Sequence, residues 1–391
     1  MLDTNAVTIS LPRGFASHVA NVGVKDDTRD FTVVLADEGS TSAGVFTRSR
    51  FAGPSVLVSR RNNDGDVRAV VVVSKNANVA NGPEGLAHAE EVASSVAARL
   101  GVPADAIFIA STGVIGRPYP IERIRAGIAA LPVPLPGTDA EEVARGIMTT
   151  DTVHKVAECA VKGSSARVVG VAKGVGMIEP DMATLIAMVF TDAAVPAGDL
   201  DAVFRRTVDR TLNCVSIDTD TSTSDTAIVI ASGAAGPVDH TAFEDALHSV
   251  LLDLTKRIAR DGEGAETLIE VRVDSARDPE QARTVAKAIV NSPLVKTAVH
   301  GADPNWGRVA MAIGKCSQYA DIDQERVVIR FGEQEVYPSR VDAAGLDRLS
   351  AYMRGDDVLI HVSLMTGGAS ATVWGCDLTD GYVRINADYT T

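Results

Sequence analysis

The feature that most constrains the fold is an unbroken apolar run over residues 185–190, which follows a glycine-spaced loop. The loop contains Gly174 and Gly176 and leads through Ala183 into Thr184. Six apolar residues with turn signals on one side and polar residues on the other predict a strand buried on both faces. Thr184 is therefore predicted to open a core strand, after a loop whose glycines can hold unusual backbone angles.

Thr184 has two interpretations at this point. A threonine hydroxyl is a poor nucleophile unless a base lies beside it, and cleavage of the preceding peptide bond would supply the residue's own α-amino group as that base. The ordinary pKa of an α-amino group, roughly 8, suits such a role near neutral pH. The alternative is a β-branched residue that opens a strand and has no chemical role, which the pattern alone favours.

Composition excludes several classes of function. A chain of 391 residues can form two domains or one large two-lobed core. Aromatic residues make up only 4% of it, so the core must be filled by Ala, Val, Ile and Leu. The net charge of −14 argues against nucleic acid or an anionic membrane as a partner, because both require basic surfaces. It still permits an acidic small-molecule substrate bound by a local Lys or Arg.

Several familiar motifs are absent from the sequence. It contains no C-x-x-C pair, no dinucleotide or P-loop glycine motif, no secretory leader pattern and no apolar run of 18 residues. We therefore predict a soluble cytoplasmic protein with no metal, no cofactor and no membrane span. Its thiols are expected to be reduced and buried, and they are Cys159, Cys214, Cys316 and Cys376.

Short apolar runs alternate with amphipathic segments along the whole chain, which predicts an α/β protein. The final segment, residues 374–391, is predicted to be a strand that reaches the last residue and is held in a sheet. The other predicted strands are residues 31–36, 44–47, 54–59, 68–75, 107–110, 214–217, 226–232 and 268–273, and the predicted helices are residues 83–100, 120–131, 140–148, 199–212, 241–260 and 278–290.

Two acidic loops have competing interpretations. Asp218, Asp220 and Asp225 could bind a metal, but their loop lacks the glycine and the terminal glutamate of an EF-hand, so a hydrogen-bonded polar turn is favoured. Glu263 lies between two glycines, where the backbone can approach a ligand closely. The alternative for Glu263 is a solvated side chain at the end of a helix.

Separated motifs over essentially the whole chain resemble the ornithine acetyltransferase (glutamate N-acetyltransferase) family. The particular sequences MIEPDMATL and the terminal DYTT are most similar to those of the family members found with clavulanic-acid biosynthesis. The commoner pattern has Asn at Asp181 and Met at Leu185. The motifs are KGVGMIEPDMAT (173–184), STGVIG (111–116), MTTDT (148–152), SIDTDTSTSDT (216–226), DGEGA (261–265), NSPLVKTAVHG (291–301), DPNWGR (303–308) and YVRINADYTT (382–391).

The resemblance implies a fold and a maturation step. The fold is a layered α/β sandwich with mixed sheets, of the N-terminal-nucleophile-like type shared with the aminopeptidase DmpA. The chain would cleave itself between Ala183 and Thr184, giving an α chain of residues 1–183 and a β chain of residues 184–391. Both chains would share one fold and assemble as a dimer of αβ pairs.

The resemblance also implies roles for particular residues. Thr184 would be the nucleophile, and the Thr112 hydroxyl and Gly113 N–H would form the oxyanion hole. Substrate-binding residues would be Thr149 or Thr150 (with a register uncertain by one residue), Lys173, Thr184, Glu263, Asn386 and the terminal Thr391.

The implied reaction is a ping-pong transfer of acetyl from N-acetylornithine to glutamate through an acetyl-Thr184 ester. Two other functions stay open at this stage. An amidase or peptidase of the same type would pass the acyl group to water, and a binding protein would keep the fold without cleavage. Use of acetyl-CoA as a further donor is also open.

Overall fold

A computed structural model gives the fold of residues 8–179 and 185–388. Within these two ranges the chain forms 14 strands. They are β1 (Phe15–Ala20), β2 (Phe31–Ala36), β3 (Thr41–Phe46), β4 (Ala69–Val73), β5 (Ile107–Ser111), β6 (Lys155–Ala160), β7 (Arg167–Lys173), β8 (Ile186–Ala194), β9 (Thr226–Pro237), β10 (Leu268–Ala276), β11 (Val328–Phe331), β12 (Gln334–Tyr337), β13 (Asp357–Ser363) and β14 (Ala369–Cys376).

The same ranges form 11 α-helices. They are α1 (Pro54–Arg61), α2 (Gly82–Leu100), α3 (Ile121–Ala130), α4 (Ala140–Gly146), α5 (Ala197–Arg210), α6 (His240–Arg260), α7 (Pro279–Val290), α8 (Pro293–His300), α9 (Trp306–Gly314), α10 (Ala343–Met353) and α11 (Asp380–Asp388). All six helices predicted from sequence are confirmed to within a few residues, as α2 to α7.

The strands form three sheets. The first sheet has the order β1-β2-β4-β5, the central sheet β3-β9-β8-β7-β6, and the third sheet β12-β11-β13-β10-β14. Each sheet contains one parallel pair among antiparallel neighbours, namely β4 with β5, β8 with β9, and β10 with β13. The predicted α/β class with mixed sheets is therefore confirmed.

The first and central sheets pack face to face. Val70 and Phe108 of the first sheet meet Met188 and Ile228 of the central sheet in one buried cluster. Strand β8 is buried along its length except at its last residue, Ala194. This confirms the core strand predicted from the apolar run. A strand covered on both faces needs no alternation of polar and apolar residues, and this one has none.

Helices cover the outer faces of these two sheets. Helices α2 and α3 pack on the first sheet through residues such as Val92 and Ile124. Helix α6 packs on the central sheet at Gly170, where an added Cβ would lie 2.6 Å from a methyl carbon of Val250. Helix α6 also contacts β10 and β14, so the third sheet joins the same core.

The central sheet takes strands from both sides of residue 184. Strands β3, β6 and β7 precede that residue, and β8 and β9 follow it. Strands β7 and β8 are antiparallel neighbours in which Lys173 pairs with Ile186. If the chain is cut before Thr184, the two products would share this sheet.

Residues 54–59, predicted as a strand, form helix α1 instead. Pro54 occupies the first turn of this helix, where a proline is tolerated because its missing N–H has no helical partner. Ser55 and Ser59, four residues apart, both face the first sheet, and the Ser59 hydroxyl donates to the Ile109 carbonyl at 2.6 Å. The short apolar run of residues 56–58 does not distinguish a strand from a buried helix face, which explains the error.

Two further strand predictions are wrong. Residues 214–217 do not form the predicted strand, because residues 212–214 form a 3₁₀ turn and an isolated bridge joins Val215 to Trp374. After β14 the chain turns at Asp377, whose carboxylate accepts the N–H groups of Glu266 and Thr267, and then forms helix α11. Residues 374–391 are therefore not one strand, and the last three lie outside the described residues.

The four cysteines are free thiols, three of them buried. Burial raises the pKa of the Cys214 and Cys376 thiols, so these two are poor nucleophiles at neutral pH. Among the described helices, none combines the length and the apolar character needed to cross a membrane.

Candidate active site

A cavity of about 440 Å³ lies at the end of the central sheet where β7 stops and β8 starts. Leu185, which follows Thr184 in the sequence, lines it. Ala183, Thr184 and Thr391, three of the predicted site residues, lie outside the described part of the chain. The other seven predicted site residues all line this cavity, and they are Thr112, Gly113, Thr149, Thr150, Lys173, Glu263 and Asn386.

Thr112 and Gly113 directly follow strand β5. Gly113 has a φ of +123°, and an added Cβ would lie 2.3 Å from the carbonyl carbon of Lys75. Only glycine fits this conformation so close to another backbone segment. Among the described residues, none accepts a hydrogen bond from the Gly113 N–H. The Gly113 N–H and the Thr112 hydroxyl are therefore two donors at the cavity, as an oxyanion hole requires.

Among the described residues that line the cavity, Lys173 is the one with a cationic side chain. Its ammonium donates to the Thr112 hydroxyl oxygen at 3.2 Å, and no described carboxylate lies within ion-pair distance of it. Burial lowers the pKa of Lys173, while the charges of Asp151, Asp225 and Glu263 act against that shift. A lysine surrounded by carboxylates but bonded to none can accept the carboxylate of a ligand.

Glu263 lines the cavity, and nearby glycines leave room for its side chain. Its N–H donates to the Val175 carbonyl at 2.8 Å, and its carboxylate accepts the Asn386 side-chain amide at 2.8 Å. A Cβ on Gly176 would lie 2.7 Å from the Glu263 carboxyl carbon, so glycine at 176 leaves room for this side chain. Glu263 is half-buried, which disfavours the solvated side chain considered from sequence.

The three aspartates of the 218–225 loop are not equivalent. Asp218 accepts the N–H groups of Met177 and Ile178 at 2.6 and 2.7 Å, which fixes the glycine-spaced loop. Asp220 is exposed, whereas Asp225 is buried and lines the cavity. One oxygen of Asp225 has no hydrogen-bond partner among the described residues. The sequence pattern suggests a metal ligand or a hydrogen-bonded polar turn for Asp225, and it does not predict that Asp225 lines the cavity.

One group of residues could hold a metal within the described part of the chain. Glu266, His300 and Asp377 place one ligand atom each within 4.8 Å of one another. His300 Nδ1 lies 3.1 Å from Asp377, whose other oxygen is already bonded to two backbone N–H groups. None of these three residues lines the cavity. The contacts of Glu266 and His300 with Asp377 stabilise the turn after β14.

Sequence comparison now identifies the family. The profile of the ArgJ family matches residues 16–391. A protein from Nostoc named arginine biosynthesis bifunctional protein ArgJ 2 is 56% identical over 383 residues, which are 98% of this chain and 98% of that protein. The chain belongs to the ArgJ family.

Further relatives agree with this assignment. A Streptomyces clavuligerus protein named glutamate N-acetyltransferase Oat2 is 56% identical over 391 residues, 98% of this chain and 99% of that protein. A solved structure of an ArgJ protein from Bacillus halodurans is 41% identical, with a TM-score of 0.48, over 51% of this chain and 96% of that chain. The family profile and the Nostoc and Streptomyces relatives confirm the predicted family and enzyme class, an acyltransferase.

Asp225 gives a first testable prediction for this ArgJ-family chain. Burial raises the pKa of Asp225 well above its usual value, and Lys173 only partly offsets this. For an acid whose folded-state pKa is raised, folding is most stable below the unfolded-state pKa and loses stability as pH rises through the folded-state pKa. Asp225→Asn removes the ionisable group and keeps the shape, so we expect a higher melting temperature at pH 8 but little change at pH 4.

Thermal unfolding at the two pH values measures this effect. Asp192→Asn is the matched control, because Asp192 is a buried aspartate at the far end of β8 that pairs with Arg13 and accepts the Arg167 N–H. That variant should lose stability. An Asp225→Asn protein that melts lower than wild type at pH 8 would contradict the prediction.

Proposed function

We propose that this enzyme transfers acetyl from N2-acetylornithine to glutamate through an acetyl ester on Thr184, after it has cleaved itself between Ala183 and Thr184. The observation that carries the proposal is the convergence of oxyanion donors, a cation and a carboxylate on one cavity, lined also by the residue that follows Thr184. The name of the Streptomyces relative, glutamate N-acetyltransferase, supports glutamate as the acceptor.

The first step is maturation. The Thr184 hydroxyl oxygen attacks the Ala183 carbonyl carbon, and the acyl group passes from the Thr184 nitrogen to its oxygen. Water then hydrolyses this ester, which leaves a carboxylate on Ala183 and a free amino group on Thr184. That amino group becomes the base the hydroxyl needs.

The second step is acetyl transfer. The Thr184 amine takes the hydroxyl proton while the oxygen attacks the acetyl carbonyl of N-acetylornithine. The Thr112 hydroxyl and Gly113 N–H stabilise the developing oxyanion, and such donors typically contribute about 2.7–4 kcal/mol each. Ornithine leaves with the proton on its nitrogen. The amine of glutamate then attacks the ester and leaves as N-acetylglutamate, which restores Thr184.

Substrate recognition follows from the two charges in the cavity. Both substrates carry an α-carboxylate, which suits the Lys173 ammonium. Glu263, held by Asn386, suits an ammonium group such as the one on the ornithine side chain. Thr149 and Thr150 both line the cavity, so either hydroxyl can contact the substrate.

An exchange assay tests the function. The purified protein is incubated with N-acetylornithine, with and without glutamate, and both N-acetylglutamate and free acetate are measured. We expect N-acetylglutamate, formed only when glutamate is present. Acetate released at the same rate in both reactions would identify an amidase and overturn the proposal. A single uncleaved species that forms neither N-acetylglutamate nor acetate would identify a binding protein. Replacement of N-acetylornithine by acetyl-CoA tests whether acetyl-CoA is a second donor.

The assembly and location stay predictions. A dimer of αβ pairs gives a particle with four chains, which the mass of the native assembly in solution measures. We also expect the protein to act in the cytoplasm without a metal or cofactor, so treatment with a chelator should leave acetyl transfer unchanged.

A further inference from the structure

A buried lysine joins three segments behind the cavity. Lys155, at the start of β6, is fully buried, and its ammonium donates to Asp151 at 2.8 Å and to Asp261 at 2.5 Å. Both carboxylates are buried too. Asp151 and Asp261 belong to the MTTDT and DGEGA motifs, but they are 110 positions apart in the sequence. We call these three residues the buried triad.

Each carboxylate of the buried triad also fixes a wall of the cavity. Asp151 accepts the Gly174 N–H at 2.7 Å, beside Lys173, and the Thr149 N–H at 3.1 Å. Asp261 accepts the Thr152 N–H at 3.2 Å, and it lies two positions before Glu263. The triad therefore connects the loop of Thr149 and Thr150 with the end of β7 and with the loop of Glu263.

The charges of the buried triad act on Lys173. Two carboxylates and one ammonium give the buried triad a net charge of one negative unit. The Asp151 carboxylate of the triad interacts electrostatically with the Lys173 ammonium. Among the charged groups around Lys173, Asp151 is the one that most strongly raises its pKa, with Asp225 and Glu263 adding to the effect, and Lys155 lowers it. Reciprocally, burial raises the pKa of Asp151, but Lys173 and Lys155 outweigh it and hold that pKa below its usual value.

We propose that the buried triad is a positioning unit that keeps the Lys173 ammonium charged and in place, so that Asp151 and Lys155 set how tightly the cavity binds a substrate carboxylate as pH rises. This inference rests on the proposed function, in which Lys173 binds the carboxylate of both substrates. The groups that face Lys173 are Asp151 from the loop after α4, Lys155 from β6, Asp225 from the loop before β9, Glu263 from the loop after α6, and the Thr112 hydroxyl.

The test uses two substitutions with opposite expected signs. Asp151→Asn removes the negative charge, so Lys173 should lose its proton at lower pH and the KM for glutamate should rise at lower pH than in wild type. Lys155→Gln removes a positive charge, so the same rise should move to higher pH. Each shift is expected to be about one pH unit, as a neighbouring charge typically produces. Loss of the charge on Lys173 should raise KM about tenfold.

KM and kcat for glutamate are measured from pH 7 to pH 10 in wild type and both variants. Asp192→Asn, which removes a buried carboxylate of the same sheet outside the cavity, is the matched control and should keep the wild-type pH dependence of KM. A purely structural triad would lower stability without opposite shifts. Midpoints that both stay at the wild-type value, or that move in the same direction, would overturn the inference.

The use of two variants keeps the test decisive if one of them fails to fold. If only one of them yields folded protein, its single shift still has a required sign, and the wrong sign contradicts the inference. Failure of the proposed function is distinguishable, because wild type itself would then transfer no acetyl to glutamate. A wild-type enzyme that transfers acetyl, with variants whose KM follows the wild-type pH profile, leaves the function intact and rejects only the role of the buried triad.

Discussion

Thr184→Ala should leave the chain as one polypeptide of about 40.9 kDa and remove acetyl transfer. The substitution deletes the oxygen that attacks the Ala183 carbonyl and later carries the acetyl group. Without it neither ester can form, so both maturation and turnover stop at the first step. Loss of a nucleophile costs about 10⁴-fold or more in kcat in enzymes that act through an acyl ester.

Intact-mass analysis and the exchange assay measure the two effects on the same sample. Wild type should give a fragment of 183 residues and one of 208 residues. Thr184→Ser is the matched control, because serine keeps the hydroxyl and should both cleave and transfer acetyl. Two fragments from the Thr184→Ala protein would show that another group breaks the chain and that self-cleavage by Thr184 is wrong.

The core of the fold is visible in the sequence where burial is complete. Strand β8 is predicted by the run at 185–190 because all six of these side chains are buried and apolar. Helix α1 has a shorter apolar run, residues 56–58, and only one side of the helix is buried. Because Ser55 and Ser59 flank this run, the pattern fits a short strand and a helix equally well.

The end of the chain illustrates a different limit. No residue of helix α11 is buried, so hydrophobic burial leaves no periodic signal from which a helix could be recognised. An ion pair between Asp380 and Arg384, one helical turn apart at 2.6 Å, is a weak signal in its favour. Asn386 nevertheless donates a hydrogen bond to Glu263 and lines the cavity. The predicted strand is wrong, and a role of Asn386 in substrate binding stays a prediction.

The cavity shows what motifs can and cannot supply. The resemblance identifies the residues with side chains or N–H groups at the cavity, such as Thr112 and Lys173. It assigns no role to Asp151, Lys155 or Asp261. Asp151 and Lys155 are only four residues apart, but the contact of Lys155 with Asp261 joins segments 106 residues apart. Composition and motif spacing cannot predict such a long-range contact. It is seen only in the structure, where β6 packs against the loop after α6.

Gly113→Ala should reduce kcat for acetyl transfer by about 10²- to 10³-fold, the range expected when an oxyanion donor is lost. The new Cβ would lie 2.3 Å from the Lys75 carbonyl carbon, closer than real Cβ atoms approach any heavy atom, and φ at this position is +123°. The backbone must therefore shift, and the Gly113 N–H and the Thr112 hydroxyl shift with it. Because self-cleavage develops an oxyanion too, an uncleaved fraction should appear by intact mass.

Gly116→Ala separates this effect from general backbone strain. Gly116 belongs to the same loop and also has a positive φ of +81°, but no heavy atom lies within 4 Å of an added Cβ. Its substitution should cost about 1 kcal/mol of stability and leave kcat within about twofold, since Gly116 does not line the cavity. If Gly113→Ala instead matched Gly116→Ala in kcat and in the extent of cleavage, the oxyanion would be stabilised elsewhere. The assignment of Gly113 would then fail while the nucleophile could stand.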